Sequence, residues 1–165
     1  NVQNHIESIS LVHEQLFSSE AFEKIETRSF IHNLVEQVLQ TYEVDKTTVV
    51  VDIVCDSVLI GSQQAIPLAL VIVEVLAVSL NHLYNREKGT LLVRFVKLDD
   101  QTVQLEVSDS SLLFASRHSS EMGTTIIEAL CQQLKGNYTW KRDGKSTFIL
   151  SFPLFFDKPD KNSYA

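Results

Sequence analysis

Apolar residues recur at helical spacing in four stretches of the chain, and two of these stretches lie near its start. In the first, the apolar positions are three or four residues apart, and such a narrow stripe is typical of a helix that pairs with another helix. This N-terminal stripe consists of Ile6, Ile9, Val12 and Leu16. The second stretch, residues 30–42, has a broader apolar face, and Thr27 or Ser29 is available as its N-cap.

The third and fourth helical stretches differ in how far their apolar face extends. Residues 63–84 are apolar on nearly every side, and Glu74 is the single charge in the middle of that run. A charge at the centre of a membrane span costs roughly 2.5–3.5 kcal/mol, so we expect this helix in the core of a folded domain. Residues 121–135 have one apolar face, and Gly136 is expected to end that helix.

Between and after these helices the pattern changes to that of β-strands, rich in β-branched residues or alternating in polarity. The predicted strands are residues 48–55, 58–60, 90–97, 102–107, 137–142 and 146–153. Residues 58–60 are expected to be a short partner strand, and Asp143-Gly144 is expected to turn the last hairpin. This order predicts an α/β (α+β) two-layer sandwich, in which three helices cover one face of a mixed, mainly antiparallel sheet.

The composition fits a folded domain and narrows the choice of partners. The chain has 165 residues, of which 44% are apolar, and its mean hydropathy of +0.03 is that of a globular protein. Its net charge of −7 offers no basic surface to phosphates, so nucleic acid is not an expected partner. Cys55 and Cys131 lack metal-binding or disulfide spacing and are expected to be small buried residues in a reducing compartment.

Four segments of the chain form a series with a recognisable order and spacing. They are residues 9–17, Ile66-Pro67-Leu68, Met122-Gly123 and Ser146-Thr147-Phe148. They resemble, in turn, the segment after the phosphoacceptor region, the start of the N-box helix, the second glycine box and the final strand of sensor histidine kinases of the HisKA_2 and HWE type. The resemblance extends over residues 2–153 and implies the Bergerat-type (GHKL) ATPase fold.

The same resemblance implies how the chain is divided and what it binds. Residues 1–20 would be the trailing part of a dimerisation and phosphotransfer helix, residues 21–156 a histidine-kinase-like ATPase domain, and residues 157–165 a polar tail. The family implies a homodimer that forms through the N-terminal stripe, and a response-regulator receiver domain as partner. ATP and Mg²⁺ are its cofactors. The expected location is cytoplasmic, with membrane attachment only through parts outside this chain.

On the predicted N-box helix, the family's catalytic and metal-binding positions are only partly kept. Glu74 matches the family's catalytic base, and a structural role as a buried acid is the alternative. Val73 and Val78 replace two family asparagines, and Asn81 replaces a lysine that faces phosphate. The second asparagine would hold Mg²⁺ through its carbonyl oxygen, which an isopropyl group cannot do, so no metal ligand is predicted.

The resemblance assigns the predicted nucleotide contacts to Asp109, Gly123 and Thr147. Asp109 is the retained carboxylate of the first glycine box, where it would accept a hydrogen bond from adenine; the alternative is that it caps the turn after its strand. Ser111 and Leu113 replace glycines of that box, and their side chains would obstruct the approach of phosphate to the backbone.

These replacements predict a degenerate, pseudokinase form of a two-component signalling module, which acts through dimerisation and response-regulator docking. Two alternatives remain open from the sequence. One is an active ATP-dependent histidine kinase domain with a divergent pocket. The other is an anti-sigma-like protein-binding domain on the same fold. Whether the chain is an enzyme is therefore a question about its pocket rather than about its fold.

Overall fold

The described part of the chain folds into a sheet of five strands, a two-stranded ribbon and three helices. The computed structural model describes residues 24–83, 88–111 and 121–155, together with Ser10. In chain order the elements are β1 (Ile25–Glu26), α1 (Thr27–Thr41), β2 (Val49–Cys55), β3 (Leu59–Ile60), α2 (Ser62–Leu83), β4 (Gly89–Lys97), β5 (Thr102–Asp109), α3 (Glu121–Gln133), β6 (Asn137–Arg142) and β7 (Ser146–Pro153).

The five-stranded sheet has the strand order β2-β4-β5-β7-β6. β2 and β4 are parallel, and every other neighbouring pair in this sheet is antiparallel. The predicted two-layer sandwich with a mixed, mainly antiparallel sheet is therefore confirmed. The expected partner of the short strand is corrected, because β3 pairs with β1 in a separate ribbon and not with the large sheet.

Helix α2 lies at the centre of the helical layer and packs against both α1 and α3. Its side chains Leu68, Ile72 and Leu76 are fully buried. By length and composition alone this helix could cross a membrane, but 67% of its most apolar window is buried inside the fold. The prediction of a core helix is confirmed, and the burial accounts for its apolar character.

The N-terminus of α1 is capped differently from the sequence prediction. Glu26, rather than Thr27 or Ser29, is the N-cap, and its carboxylate accepts hydrogen bonds from the N–H groups of Arg28 and Ser29, each at 2.9 Å. A hydrogen bond from the Ser57 hydroxyl and those two N–H groups lower the pKa of the Glu26 carboxyl to about 2.

Thr27 is unavailable as a cap because its hydroxyl holds two chain segments together. It donates to the carbonyl oxygen of Asp56 at 2.9 Å and accepts from the N–H of Val58 at 3.0 Å. Both partners are about thirty residues away in the chain. A capping rule that considers only neighbouring residues therefore cannot predict that these distant groups bind the Thr27 hydroxyl.

Gly136 is required by close packing; it is not the residue with left-handed backbone conformation at the end of α3. Lys135 takes that conformation, with φ of 54°, and the Gly136 N–H donates to the carbonyl of Cys131 at 2.9 Å. A Cβ on Gly136 would lie 2.7 Å from Cδ1 of Leu150 on β7. The prediction for Gly136 was wrong in its reason, whereas Gly144, with φ of 66°, turns the last hairpin as expected.

Candidate functional site

Asp109 is an acidic residue at a position where the alternation along its strand predicts a buried, apolar side chain. Along β5, alternate residues from Val103 to Val107 face the helices and are buried, and Asp109 continues that row with 2% of its surface exposed. Its register partners are Leu91 on β4 and Ser146 on β7. The carboxylate therefore lies at the rim of the core, where the sheet ends beneath the helices.

One oxygen of the buried carboxylate is bonded within its own chain. Its Oδ1 accepts a hydrogen bond from the Ser111 N–H at 2.7 Å and another, short one from the Ser111 hydroxyl. The carbonyl oxygen of Ser111 in turn accepts from the Ser146 hydroxyl at 2.6 Å. Ser111 and Ser146 are 0% and 2% exposed. These three residues form one buried polar unit, called the Asp109 network below.

The turn that contains the Asp109 network is also fixed to the start of β4. The N–H of Ser110 donates to the carbonyl of Thr90 at 3.1 Å, and the N–H of Thr90 donates to the Ser110 hydroxyl at 3.0 Å. Each of the two serines after Asp109 is thus bonded to the sheet or to the carboxylate. For Asp109 the turn-capping alternative describes the observed geometry, in which the side chain accepts from the backbone two residues further on.

Glu74 and Val78 lie on one face of α2, since they are four residues apart. Both are half-buried, as is His82 one turn further on, whereas Val73 is only 1% exposed and belongs to the core. Asn81 is exposed and lines a pocket of about 150 Å³ between the end of α2 and the loop from α1 to β2. We call Glu74, Val78 and His82 the α2 stripe.

The α2 stripe does not suit a magnesium ion. Mg²⁺ prefers oxygen ligands, and Val78 presents two methyl groups at the position that would have to supply one. Among the residues that the structure describes, no three His, Cys, Asp or Glu side chains come together in a way that could hold a metal. Val78 therefore does not fit the magnesium ligand that the resemblance implies at its position.

The structure separates Thr147 from Asp109 and brings Ser146 next to it instead. Thr147 pairs with Ser108, and both lie on the sheet face away from the helices. Ser146 pairs with Asp109 on the helix-covered face. The sequence contained the signal for this placement, because the buried residues Phe148 and Phe152 have even numbers and set the inward-facing positions of β7.

The remaining predicted site residues lie wholly or partly beyond what the structure describes. The N-terminal stripe (Ile6, Ile9, Val12 and Leu16) and Leu113 are outside the described residues. Gly123 lies in the first turn of α3, and its backbone is helical. These assignments stay predictions.

Neither cysteine is poised for chemistry. Both thiols are free, Cys131 is buried and Cys55 is half-buried. Burial raises the pKa of each thiol to about 12. Because the thiolate is the reactive form, both side chains act as small apolar residues at neutral pH, as the sequence predicted.

Comparison with known proteins gives one sequence match and many structural ones. The HisKA_2 family, described as histidine kinase, matches residues 1–42. No curated protein sequence matches the chain. The histidine kinase domain of the Erythrobacter litoralis EL346 blue-light activated histidine kinase aligns with a TM-score of 0.76 at 16% identity, over 92% of this chain and 74% of that one.

Two further structures show how far the similarity extends. The EL346 kinase itself aligns with a TM-score of 0.76 at 17% identity, over 91% of this chain and 47% of that one, so this chain spans about half the length of that protein. The mycobacterial sensor histidine kinase MprB aligns with a TM-score of 0.63 at 13% identity, over 80% of this chain and 98% of that one. The resemblance to HisKA_2-type histidine kinases is confirmed, and the fold is that of GHKL histidine kinase catalytic domains.

Proposed function

We propose that this chain is a cytoplasmic signalling module of a sensor histidine kinase whose nucleotide pocket is degenerate. It acts by dimerisation through the N-terminal stripe and by docking a response-regulator receiver domain, rather than by phosphoryl transfer. The observation that carries this proposal is the Asp109 network, in which Oδ1 of the carboxylate already accepts two hydrogen bonds from Ser111.

An incoming adenine would have to compete for that carboxylate. A hydrogen bond to a charged group contributes about 1.5–3 kcal/mol, and the Ser111 hydroxyl already supplies one such bond. Displacing it would weaken nucleotide binding by roughly tenfold or more, since 1.4 kcal/mol corresponds to a factor of ten. Ser111 and Ser146 are buried, so the competition takes place in a site from which water is largely excluded.

The residues of helix α2 support the same proposal. Phosphoryl transfer depends on positioning and on neutralising charge at the phosphates. Val78 supplies no metal ligand, and Asn81 carries no positive charge. Helix α2 therefore lacks, at Val78 and Asn81, both contributions that a kinase needs from this helix.

The alternative of an active kinase with a divergent pocket has one observation in its favour. Glu74 is retained and half-buried on the α2 stripe, in the middle of the helix that would carry the catalytic base. A carboxylate at this place is compatible with general-base work. A binding measurement separates the two functions.

Calorimetric titration of the full chain with ATP and with ADP, each with and without Mg²⁺, tests the proposal. We expect no heat at millimolar nucleotide, or weak binding that is indifferent to Mg²⁺. The Ser111→Ala variant should then bind the adenine nucleotides about tenfold more tightly, still without a Mg²⁺ effect. Micromolar binding of ATP to the unmodified chain that requires Mg²⁺ would overturn the proposal and restore the active kinase.

Dimerisation is tested separately by sedimentation equilibrium. Ile9→Glu together with Leu16→Glu places two charges in the N-terminal stripe and should shift the protein towards monomer. Ser10→Glu is the matched control, because Ser10 is exposed and should leave the association unchanged. A double variant that associates as the unmodified chain does would remove the N-terminal stripe from the proposal.

A further inference from the structure

Strand β2 lies at one edge of the large sheet. Within the described part of the chain it is bonded on one side only, to β4. It is seven residues long, and apart from Asp52 it consists of Val, Ile and Cys. A long apolar edge strand is a template on which another strand can add.

The hydrogen bonds at the two ends of β2 show which peptide groups face outward. The Gly89 N–H donates to the carbonyl of Thr48, and the Asp56 N–H donates to the carbonyl of Phe95, so the even-numbered residues direct their peptide groups to β4. In a parallel pair the alternate residues direct theirs away. The peptide groups of Val51 and Ile53 therefore point out from the edge of the sheet.

Contacts within the chain limit this open edge to its middle. At one end the N–H of Val49 donates to the carbonyl of Asp45. At the other end Nε of Arg28 donates to the carbonyl of Cys55 at 3.0 Å. Between these two contacts lie Val51 and Ile53, which offer two N–H donors and two carbonyl acceptors to an added strand.

The side chains beside this edge carry a specific pattern. Val50, Asp52 and Val54 lie on the sheet face away from the helices, with Val50 59% and Val54 49% exposed. Asp52 is also exposed. The pattern on the open edge is therefore apolar, acidic, apolar at alternate residues.

We propose that the β2 edge binds an extended segment of a partner protein with the complementary pattern, apolar-x-basic-x-apolar. In an antiparallel addition, Val51 and Ile53 would form the hydrogen-bonded pairs. Asp52 would then fall in a non-hydrogen-bonded pair, where facing side chains are closest, so a lysine or arginine opposite it is favoured. This surface is separate from the Asp109 network, and its use does not depend on nucleotide.

A second copy of this chain is a poorer occupant of the same edge. Two β2 strands paired about Asp52 would place that carboxylate directly opposite its symmetry mate. Like charges in facing positions are destabilising. Asp52 thus disfavours self-association, as charges on natural edge strands do. It favours a partner with a basic residue in the facing position.

Capped heptapeptides are suitable probes for this site. The peptide Thr-Val-Thr-Lys-Thr-Val-Thr reads the same in both directions, so it presents the pattern whichever way the strand runs. We expect it to bind the full chain in a calorimetric titration, and the peptide with a central Glu to bind about threefold to tenfold more weakly. In the Asp52→Lys variant the order of the two peptides should reverse.

Backbone methylation separates strand addition from simple charge attraction. N-methyl groups on the two Thr residues that flank the central Lys would remove the N–H groups that face Val51 and Ile53, and should abolish binding. N-methylation of the central Lys, whose N–H would point away, is the control and should leave binding intact. Failure of the Lys peptide to bind at millimolar concentration, or equal binding of the two methylated peptides, would overturn the proposal. The proposal would also be overturned if two copies of the chain paired through β2 and thereby displaced the peptide.

Discussion

The Ser111→Ala variant tests whether the Asp109 network holds the end of the sheet together. The substitution removes the hydroxyl that donates to Asp109 Oδ1 and leaves the Ser111 N–H in place. Asp109 is 2% exposed, so water cannot easily replace the lost donor. We expect a loss of about 1.5–3 kcal/mol in the free energy of unfolding, the range for a hydrogen bond to a charged group.

Urea unfolding followed by fluorescence is a direct assay for this loss. Trp140 is the single tryptophan of the chain; it is half-buried, and the centroid of its ring lies 4.5 Å from that of the buried Phe148. Its emission should therefore report the opening of the sheet. In a domain of this size a loss of about 1.5–3 kcal/mol lowers Tm by roughly 3–12 °C.

Ser151→Ala is the matched control for the same strand layer. Its hydroxyl accepts a bond from Nε2 of Gln104 at 3.1 Å, and both groups are neutral and half-buried. A neutral pair contributes about 0.5–1.5 kcal/mol, so this variant should be the more stable of the two. If Ser111→Ala lowers the free energy of unfolding less than Ser151→Ala does, the Asp109 carboxylate does not depend on the Ser111 hydroxyl. The proposal that this hydroxyl competes with adenine would then fail.

Three further predictions concern other parts of the molecule. Glu26→Ala should lower the free energy of unfolding by about 0.5–2 kcal/mol. Because the pKa of the Glu26 carboxyl is about 2 in the folded chain and 4.5 in the unfolded chain, this stabilisation is present above pH 4.5 and is lost towards pH 2. Urea titrations of the variant and the unmodified chain across that pH range would show the loss. Gly136→Ala places a methyl group 2.7 Å from Leu150 and should destabilise the fold by about 1–3 kcal/mol in the same assay, whereas a neutral result would mean that β7 can move away. Cys55 and Cys131 should react with a thiol reagent at pH 8 only after unfolding, because burial raises both pKa values to about 12; rapid labelling of the folded protein would contradict this.

The main elements of this fold were predictable because each depends on a local pattern of apolar and polar residues. The period of α1, the β-branched run of β2 and the Asp143-Gly144 turn all depend on residues within one element. The N-cap at Glu26 was missed because Thr27, the stronger local candidate, is bonded to Asp56 and Val58. Such long-range competition leaves no trace in the spacing of neighbouring residues.

The candidate site was less predictable, for a different physical reason. Asp109 was found through the resemblance, which places it in the first glycine box at the end of its strand. Its partner Ser111 was seen only as an obstacle, since the sequence does not show that a serine two residues on would turn back to donate to it. Thr147 was assigned by resemblance, and Ser146 was not considered, although the inward position of Phe148 places Ser146 on the same face as Asp109.

Helix α2 has a buried face that fixes the fold and a half-buried face that carries the predicted site residues. Leu68, Ile72 and Leu76 are fully buried and hold the helix on the sheet, whereas Glu74 and Val78 lie on the half-buried stripe. A substitution at position 78 would leave the core untouched, so the fold by itself carries no information about metal binding. A buried carboxylate is different, because it must be satisfied by something. In this chain Oδ1 of Asp109 accepts two hydrogen bonds from Ser111, and that contact, rather than the fold, supports the proposed signalling role without nucleotide chemistry.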